Sequence, residues 1–172
     1  MPSGLLDFLD HFSILLADFL SRSPKREKLH EIPLDEMIKQ SKLVVVGKVV
    51  RIEEIPTPKN GKKSTFDEKA VATVEIEQII VGSYEDKHID IMYYPRLTFE
   101  ARFFLNQQCI FFIGQGNLMV KGYAGKIPIE KGKVEVRYIL GEATSQTLQN
   151  FAQRIKDSKS RQETVLDKPS SQ

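Results

Sequence analysis

The stretch that most constrains the fold runs from Leu43 to Glu54 and reads LVVVGKVVRIEE. Five valines and one isoleucine fall between positions 44 and 52, and β-branched side chains fit a pleated strand better than a helix interior. The first half is apolar on both faces, whereas apolar and charged residues alternate from Val49 to Ile55. We therefore predict one long strand that is buried at its start and half-exposed at its end, as in a coiled barrel.

Gly47 stands where these two patterns meet. A glycine inside a strand usually marks a bulge, a sharp bend or a close backbone approach. We predict a bend that lets one long strand serve both sides of a barrel. The alternative is that Gly47 only relieves local packing.

Further apolar or alternating segments follow, separated by glycine-containing turns. They predict strands at 70–80, 88–94, 108–114, 118–122 and 134–140, with a short IPI run before the last. In the predicted strand 88–94, Ile89, Ile91 and Tyr93 point inward. Phe99, Phe103 and Phe104 lie in a segment that forms either a short helix or a plug for one barrel end. Several short strands at this spacing are typical of a barrel or sandwich.

Helical patterns flank the strands. Residues 4–20 predict an amphipathic helix, 32–41 a short helix and 144–156 a last helix, each with an apolar stripe. We predict a mainly β fold, an OB-like closed barrel of five to six strands with an N-terminal amphipathic helix and a C-terminal helix. The domains are 1–31 (helix and charged linker), 32–156 (barrel and C-terminal helix) and 157–172 (a disordered polar tail).

The segment 4–20 has two interpretations. It lacks a basic start, and Asp7, Asp10 and Asp18 interrupt its apolar run, so it is not a clean signal peptide. It is predicted to pack on the barrel or on a partner chain, including self-association through 4–20. The alternative is a degenerate or mis-started leader. The first interpretation favours a cytoplasmic protein and the second an exported one; no transmembrane segment is predicted.

The sequence carries few features that are typical of catalytic, metal-binding or nucleic-acid-binding sites. The net charge of +2 is too small to indicate nucleic acid, and a single cysteine, Cys109, can form neither an internal disulfide nor a Cys-rich metal cluster. Cys109 lies in the run CIFFI, which indicates a buried thiol. No HExxH, CxxC, GxSxG or phosphate-loop motif is present. We predict no catalytic centre, cofactor or metal site.

One group of side chains is weighed as a metal site. If the predicted strands 70–80 and 88–94 are neighbours, one outer face carries Glu75, Glu77, His88 and Asp90. Such oxygen and nitrogen ligands suit a divalent ion. Charges that alternate on an exposed sheet face more commonly keep it soluble, and this is the interpretation we adopt.

Five segments carry a resemblance to a group of small bacterial proteins of uncharacterised function: IPLDEMIKQSKLVVVGKVV, VATVEIEQIIVGSYEDKHIDI, CIFFIG, GKIPIEKGKV and the C-terminal helix. The resemblance covers roughly 32–156. It implies an OB-type barrel like that of the tissue inhibitors of metalloproteinases and the netrin modules, and usually an exported protein. Those inhibitors reach the protease zinc with an N-terminal cysteine and depend on disulfides. This chain has only Cys109, so that mechanism does not carry over.

These observations favour a non-catalytic interaction module that binds another protein or a cell-envelope component. The predicted partner-binding surface is the barrel end near Tyr94, Arg96, Phe99 and Arg102, because aromatic and arginine side chains are typical interface anchors. The alternative for this surface is that the phenylalanines simply cap the core.

The alternative function is single-stranded nucleic-acid binding, the commonest use of OB barrels. Glu75, Glu77 and Asp90 on the ligand face would repel phosphate. A basic loop at Lys59, Lys62 and Lys63, together with the region 121–137, offers only a basic rim. Nucleic acid is therefore the less favoured partner.

Overall fold

The computed structural model describes residues 32–55, 68–97, 100–136, 139–140, 142 and 145–166. All of them belong to one compact unit, Glu31–Gln172. Several predictions fall outside the described residues: the helix 4–20, the linker 21–31, the basic loop with Lys59, Lys62 and Lys63, Phe99, and residues 167–172 of the tail.

The described residues form short and long strands between two helices. In chain order the elements are β1 (Ile32–Pro33), α1 (Leu34–Gln40), β2 (Leu43–Ile55), β3 (Lys69–Val81), β4 (His88–Tyr93), β5 (Gln108–Ile113), β6 (Lys126–Glu130), β7 (Lys133–Glu135), β8 (Ile139–Leu140), β9 (Ser145–Thr147) and α2 (Leu148–Leu166). Short 3₁₀ turns occupy Gln115–Asn117 and Gly122–Gly125. The strands predicted at 70–80, 88–94 and 108–114 are present. The segment predicted as 134–140 is divided between β7 and β8.

Seven strands form one antiparallel sheet in the order β4-β3-β2-β5-β6-β7-β9, and β1 pairs with β8 in parallel. The predicted mainly β fold is confirmed. Within the described residues, however, the sheet is open, with β4 and β9 at its edges, and continuous ladders do not close it into a barrel. Two isolated bridges, Met92 with Leu118 and Ile113 with Met119, are the only pairing described in the predicted strand 118–122.

The central strand β2 lies between two hydrophobic cores, because its side chains alternate between the two sheet faces. The helix-side core contains Leu34, Met37, Ile38, Val44, Val46, Ile110, Phe112, Val134, Phe151 and Ile155. The loop-side core contains Val45, Val49, Ala72, Val74, Ile89, Ile91, Tyr93, Phe103, Cys109 and Phe111. The start of β2 is thus covered on both faces and its end is mostly exposed, as predicted.

Gly47 lies at a bulge in the pairing of β2 with β3. The register shifts between Val46 and Gly47, which leaves Glu77 of β3 without an opposite residue. A Cβ at Gly47 would lie 2.5 Å from Cγ1 of Val74 and 2.7 Å from the backbone oxygen of Glu75. A close backbone approach at a bulge therefore requires the glycine.

The helices close one face of the sheet. The helix predicted at 32–41 is α1, and it buries Leu34, Met37 and Ile38. The helix predicted at 144–156 begins later, because Ser145–Thr147 pairs with β7. It also continues to Leu166, where composition predicted a disordered tail. No helix in the described part of the chain is long and apolar enough to cross a membrane.

Contacts between the two helices explain the longer α2. The side chain of Ser158 is fully buried, and its hydroxyl donates a hydrogen bond to the carboxylate of Asp35 in α1. One turn further on, Nε2 of Gln162 donates to the backbone oxygen of Asp35 at 2.8 Å. These bonds hold a polar segment in helical form although its own apolar content is low.

Candidate binding cleft

Of the four residues predicted as a partner-binding surface, Tyr94, Arg96 and Arg102 lie among the described residues. Arg96 is exposed and pairs with the carboxylate of Glu68, next to β3. Tyr94 is half-buried, and Phe99 lies outside the described residues. Arg102 is exposed and lines a cleft beside β6. Of these three described residues, Arg102 alone lines the cleft.

The segment 100–107 has no helix, and two neighbouring phenylalanines in it behave differently. Phe103 is 6% exposed and packs against the rings of Tyr93 and Phe111, with centroids 4.6 and 6.1 Å away. Phe104 and Leu105 are 58% and 59% exposed. Phe103 therefore caps the loop-side core, whereas the predicted capping role is wrong for Phe104, because the side chains of Phe104 and Leu105 both turn toward solvent.

Backbone hydrogen bonds fasten the end of this segment to the sheet. The amide of Asn106 donates to the backbone oxygen of Val49 at 2.8 Å, and the amide of Val49 donates to the backbone oxygen of Gln107 at 3.0 Å. Asn106 adopts a positive φ of 64°, which turns the chain into β5. Phe104 is thus presented from a loop whose end at Asn106 and Gln107 is bonded to β2.

Phe104 and Arg102 form one wall of a cleft of about 270 Å³. We call it the Lys126 cleft. The other walls come from the second 3₁₀ turn, from β6, and from β7, β8 and the residue after β7: Tyr123, Ala124, Lys126, Ile127, Pro128, Glu130, Glu135, Val136 and Ile139. In β6, Ile127 and Ile129 are buried in the helix-side core, while Lys126, Pro128 and Glu130 alternate with them.

Lys126 is the half-buried charge of this cleft. Its Nζ donates to Oε1 of Gln107 at 2.6 Å and also to the backbone oxygen of Arg102. The same atom lies 5.2 Å from the ring centroid of Phe103 and 5.4 Å from that of Phe104. Burial lowers the pKa of Lys126 below the ordinary lysine value. Lys126 was not among the predicted site residues, although the alternation in KIPIE places it on the face opposite the two buried isoleucines.

Cys109 lies directly behind the cleft, opposite Pro128 in the ladder between β5 and β6. Its side chain is fully buried, as predicted, and its thiol is free. Burial raises the pKa of the Cys109 thiol to about 12, so almost no thiolate is present near neutral pH. Cys109 is a core residue here.

The outer face of β3 and β4 carries three of the four residues weighed as a metal site. Glu75 pairs with His88, and Thr73 pairs with Asp90. Each carboxylate has a partner within the chain: Glu75 meets Nζ of Lys87 at 2.7 Å, and Asp90 accepts from Thr73 at 2.6 Å.

Glu77, which has no opposite residue at the bulge, accepts a hydrogen bond from Nε2 of Gln108 of β5. The hydrogen bond that Lys87 donates to Glu75, together with the positive charge of Lys87, holds the pKa of Glu75 below its ordinary value. Among the described residues, no group of three or more histidine, cysteine, aspartate or glutamate side chains is placed to hold a metal ion.

A second buried charge lies beside the helices. The Glu142 side chain is only 3% exposed, and it accepts hydrogen bonds from Nη2 of Arg154 at 2.6 Å and from Nε2 of Gln146 at 3.1 Å. Because both carboxylate oxygens are bonded, this arrangement ties α2 to the chain before β9. We interpret it as a structural ion pair.

Comparison with protein-family models finds no match to this chain, and comparison with curated proteins finds none either. A function is therefore argued from the site itself, because a fold alone supports many functions.

Proposed function

We propose that the chain is a non-catalytic interaction module with an OB-type barrel, and that it binds another protein through the face formed by Arg102, Phe104 and Leu105. The observation that carries the proposal is the pair of large apolar side chains, 58% and 59% exposed, on a loop fastened at its end. Self-association through residues 4–20 stays a separate prediction.

The OB-type barrel is supported by the two isolated bridges. Leu118 pairs with Met92 of β4, and Met119 pairs with Ile113 of β5. Together with the ladders β4-β3-β2-β5, they complete a ring of five segments in which only the link to β4 is parallel. An OB fold is a five-stranded, partly open barrel, so single-residue bridges at one seam suit it. The ring also supports the resemblance to the inhibitor and netrin modules.

The buried position of the neighbouring Phe103 supports the proposed binding face. Phe103 closes the loop-side core, so burial of Phe104 is not needed to cover it. Exposed aromatic and apolar side chains beside an arginine are typical of the centre of a protein interface. A loop on a rigid scaffold is also a common place for binding residues.

Site-specific photo-cross-linking tests this proposal. A photo-activatable phenylalanine analogue in place of Phe104, in the full chain in living cells, is expected to give one discrete adduct. The Arg102→Glu change should lower its yield, because it reverses a charge in the proposed interface. The same analogue in place of Glu163, exposed on α2, is the control. Absence of an adduct at 104, or identical adducts at both positions, would contradict the proposal.

Single-stranded nucleic-acid binding is disfavoured by the outer face of β3 and β4. A separate cleft on that face is lined by Asp86, Asp90, Arg51 and His88. Glu75 is the register partner of His88. Carboxylates on this face would repel phosphate groups. A fluorescent oligonucleotide should show no anisotropy change with the full chain at low salt, where electrostatic binding is strongest.

A further inference from the structure

We infer that the Lys126 cleft binds a carboxylate side chain of an acidic, extended peptide segment of the partner. This inference rests on the proposed function, because it names the chemistry of the partner on the same face.

The position of Lys126 in the sheet is the first argument. Lys126 is the register partner of Phe111, so its side chain leaves the sheet on the face of the loop-side core. The rings of Phe103 and Phe104 stand over its ammonium group. An apolar side chain would fill such a position without loss of hydration, whereas a half-buried charge is costly unless it is compensated. A charge retained there is a candidate for binding.

The hydrogen bonds of Lys126 are the second argument. An ammonium group has three N–H donors. Within the described residues, two of them go to Gln107 and to the backbone oxygen of Arg102, and both of these acceptors are neutral. A carboxylate oxygen that enters the cleft can accept the third donor and supply the missing negative charge. The exposed guanidinium of Arg102 lies in the same wall and can donate to the second oxygen.

The rest of the cleft sets the orientation and size of the ligand. Glu130 lies four residues from Lys126 on the same face of β6, which is roughly 13 Å at 3.3 Å per residue. Its carboxylate makes that end acidic, so a ligand carboxylate is favoured only at the Lys126 end. Pro128 and Phe104 offer apolar contact beside it. The volume of about 270 Å³ is at the lower limit for small-molecule pockets and suits one or two peptide side chains.

A matched pair of peptides tests the inference. The probe is acetyl-Ala-Asp-Leu-Phe-Ala-amide, and its control carries asparagine in place of aspartate. Both are titrated into the full ¹⁵N-labelled chain. The aspartate peptide is expected to shift amide signals of residues 101–107 and 123–127. It should bind about tenfold more tightly than the asparagine peptide, because a charge-assisted hydrogen bond is lost in the control.

Three variants of the chain locate the effect. Lys126→Gln should weaken binding of the aspartate peptide about tenfold and leave the affinity for the asparagine peptide unchanged. Arg102→Gln, at an exposed position, should weaken it less. Lys133→Gln is the control, since it removes the same charge from an exposed residue that does not line the cleft. The melting temperature of each variant is measured, and Arg102→Gln together with the wild-type peptide pair decides the matter if Lys126→Gln does not fold.

Equal affinity for the two peptides, or no binding of either, would overturn the inference. If an adduct still forms at position 104 in that case, the proposed function stands and only the carboxylate chemistry is wrong. Binding of the aspartate peptide without any adduct at 104 would keep the carboxylate site and remove the proposed protein interface. A doubled mass in light scattering that Lys126→Gln returns to the monomer value would assign the cleft to a second copy of the chain and overturn the peptide partner.

Discussion

The two cores of this protein are closed in different ways. Two helices cover the helix-side core, where Met37, Ile38, Phe151 and Ile155 are fully buried. A loop covers the loop-side core, where Phe103 is buried and the next two side chains are exposed. A helix turns a continuous apolar stripe to the core, whereas a loop without regular structure can leave consecutive apolar side chains exposed. Closure by a loop therefore leaves apolar groups available to a partner.

The two cores also differ in how the charged side chain beside each of them is compensated. Beside the helices, the carboxylate of Glu142 has a charged partner in Arg154 and a neutral one in Gln146. Beside the loop, the ammonium of Lys126 is bonded to two neutral oxygens. A paired buried charge serves structure, while a buried charge compensated only by neutral groups can still attract an ion. This difference is why the binding site is proposed at the loop and not at the helices.

Replacement of three phenylalanines by alanine gives the largest expected contrast. Phe151→Ala should lower the free energy of unfolding by about 3–5 kcal/mol, since it leaves a cavity in a sealed core. Phe103→Ala should cost about 3 kcal/mol, at the low end of that range, because the loop can partly collapse into the space. Phe104→Ala should change stability by less than about 0.5 kcal/mol, as for an exposed residue. Urea denaturation measures all three.

Equal losses at positions 103 and 104 would break the comparison, because the loop would then bury both rings. Phe104→Ala is also the useful variant for binding studies. It is expected to lose the partner while its unfolding midpoint stays at the wild-type value, which separates an interface residue from a core cap.

The bulge at Gly47 tests the loop-side core from the sheet. Gly47→Ala should lower the free energy of unfolding by about 1–3 kcal/mol, since the new Cβ overlaps Val74 and the backbone of Glu75. Gly114→Ala is the control. A Cβ at Gly114 would have its nearest neighbour at an ordinary 3.4 Å, and the backbone φ of −93° suits alanine. A similar loss in both variants would mean that glycine flexibility, and not the close approach, explains Gly47.

The parts of the fold that could be predicted are those set by neighbours in sequence. The alternation in β3 and β4 and the β-branched run in β2 are local patterns, and these strands were predicted almost to the residue. Closure of the sheet depends instead on bridges such as that between Met92 and Leu118. No periodicity reports such a contact.

The same reason explains the misses at the site and in the last helix. Lys126 is half-buried only because Phe103 and Gln107, from a distant loop, lie over it. The helix α2 continues past Lys156 because Ser158 meets Asp35, 123 residues away. Arg102 could be predicted, because an arginine among aromatic residues is itself a local signal, but the cleft it lines could not.

The ion pair beside the helices gives a smaller expected effect. Arg154→Ala should lower the free energy of unfolding by about 1–2 kcal/mol. This is below the 3–5 kcal/mol of fully buried pairs, since the Arg154 side chain is 57% exposed. Combining it with Glu142→Gln should recover part of the loss, because the buried charge is then removed as well. Purely additive losses in this double-mutant cycle would show that the two side chains act independently.

The smallest expected effect is a pH dependence that belongs to Lys126. Because its pKa in the folded chain is lowered, the folded state releases this proton before the unfolded state does. Stability should therefore rise with pH between the lowered pKa and the ordinary value of 10.5. Cys109 acts in the opposite direction above its ordinary pKa of 9.0, since burial raises the pKa of its thiol. Because the charge of Lys126 itself acts on the pKa of Cys109, the difference in unfolding free energy between wild-type Lys126 and Lys126→Met is measured in a Cys109→Ala background, which removes the thiol contribution. This difference should shift in favour of the wild type as the pH rises. A difference that stays constant up to pH 10.5 would mean that Lys126 is hydrated like a surface lysine, and the contrast between the two buried charges would disappear.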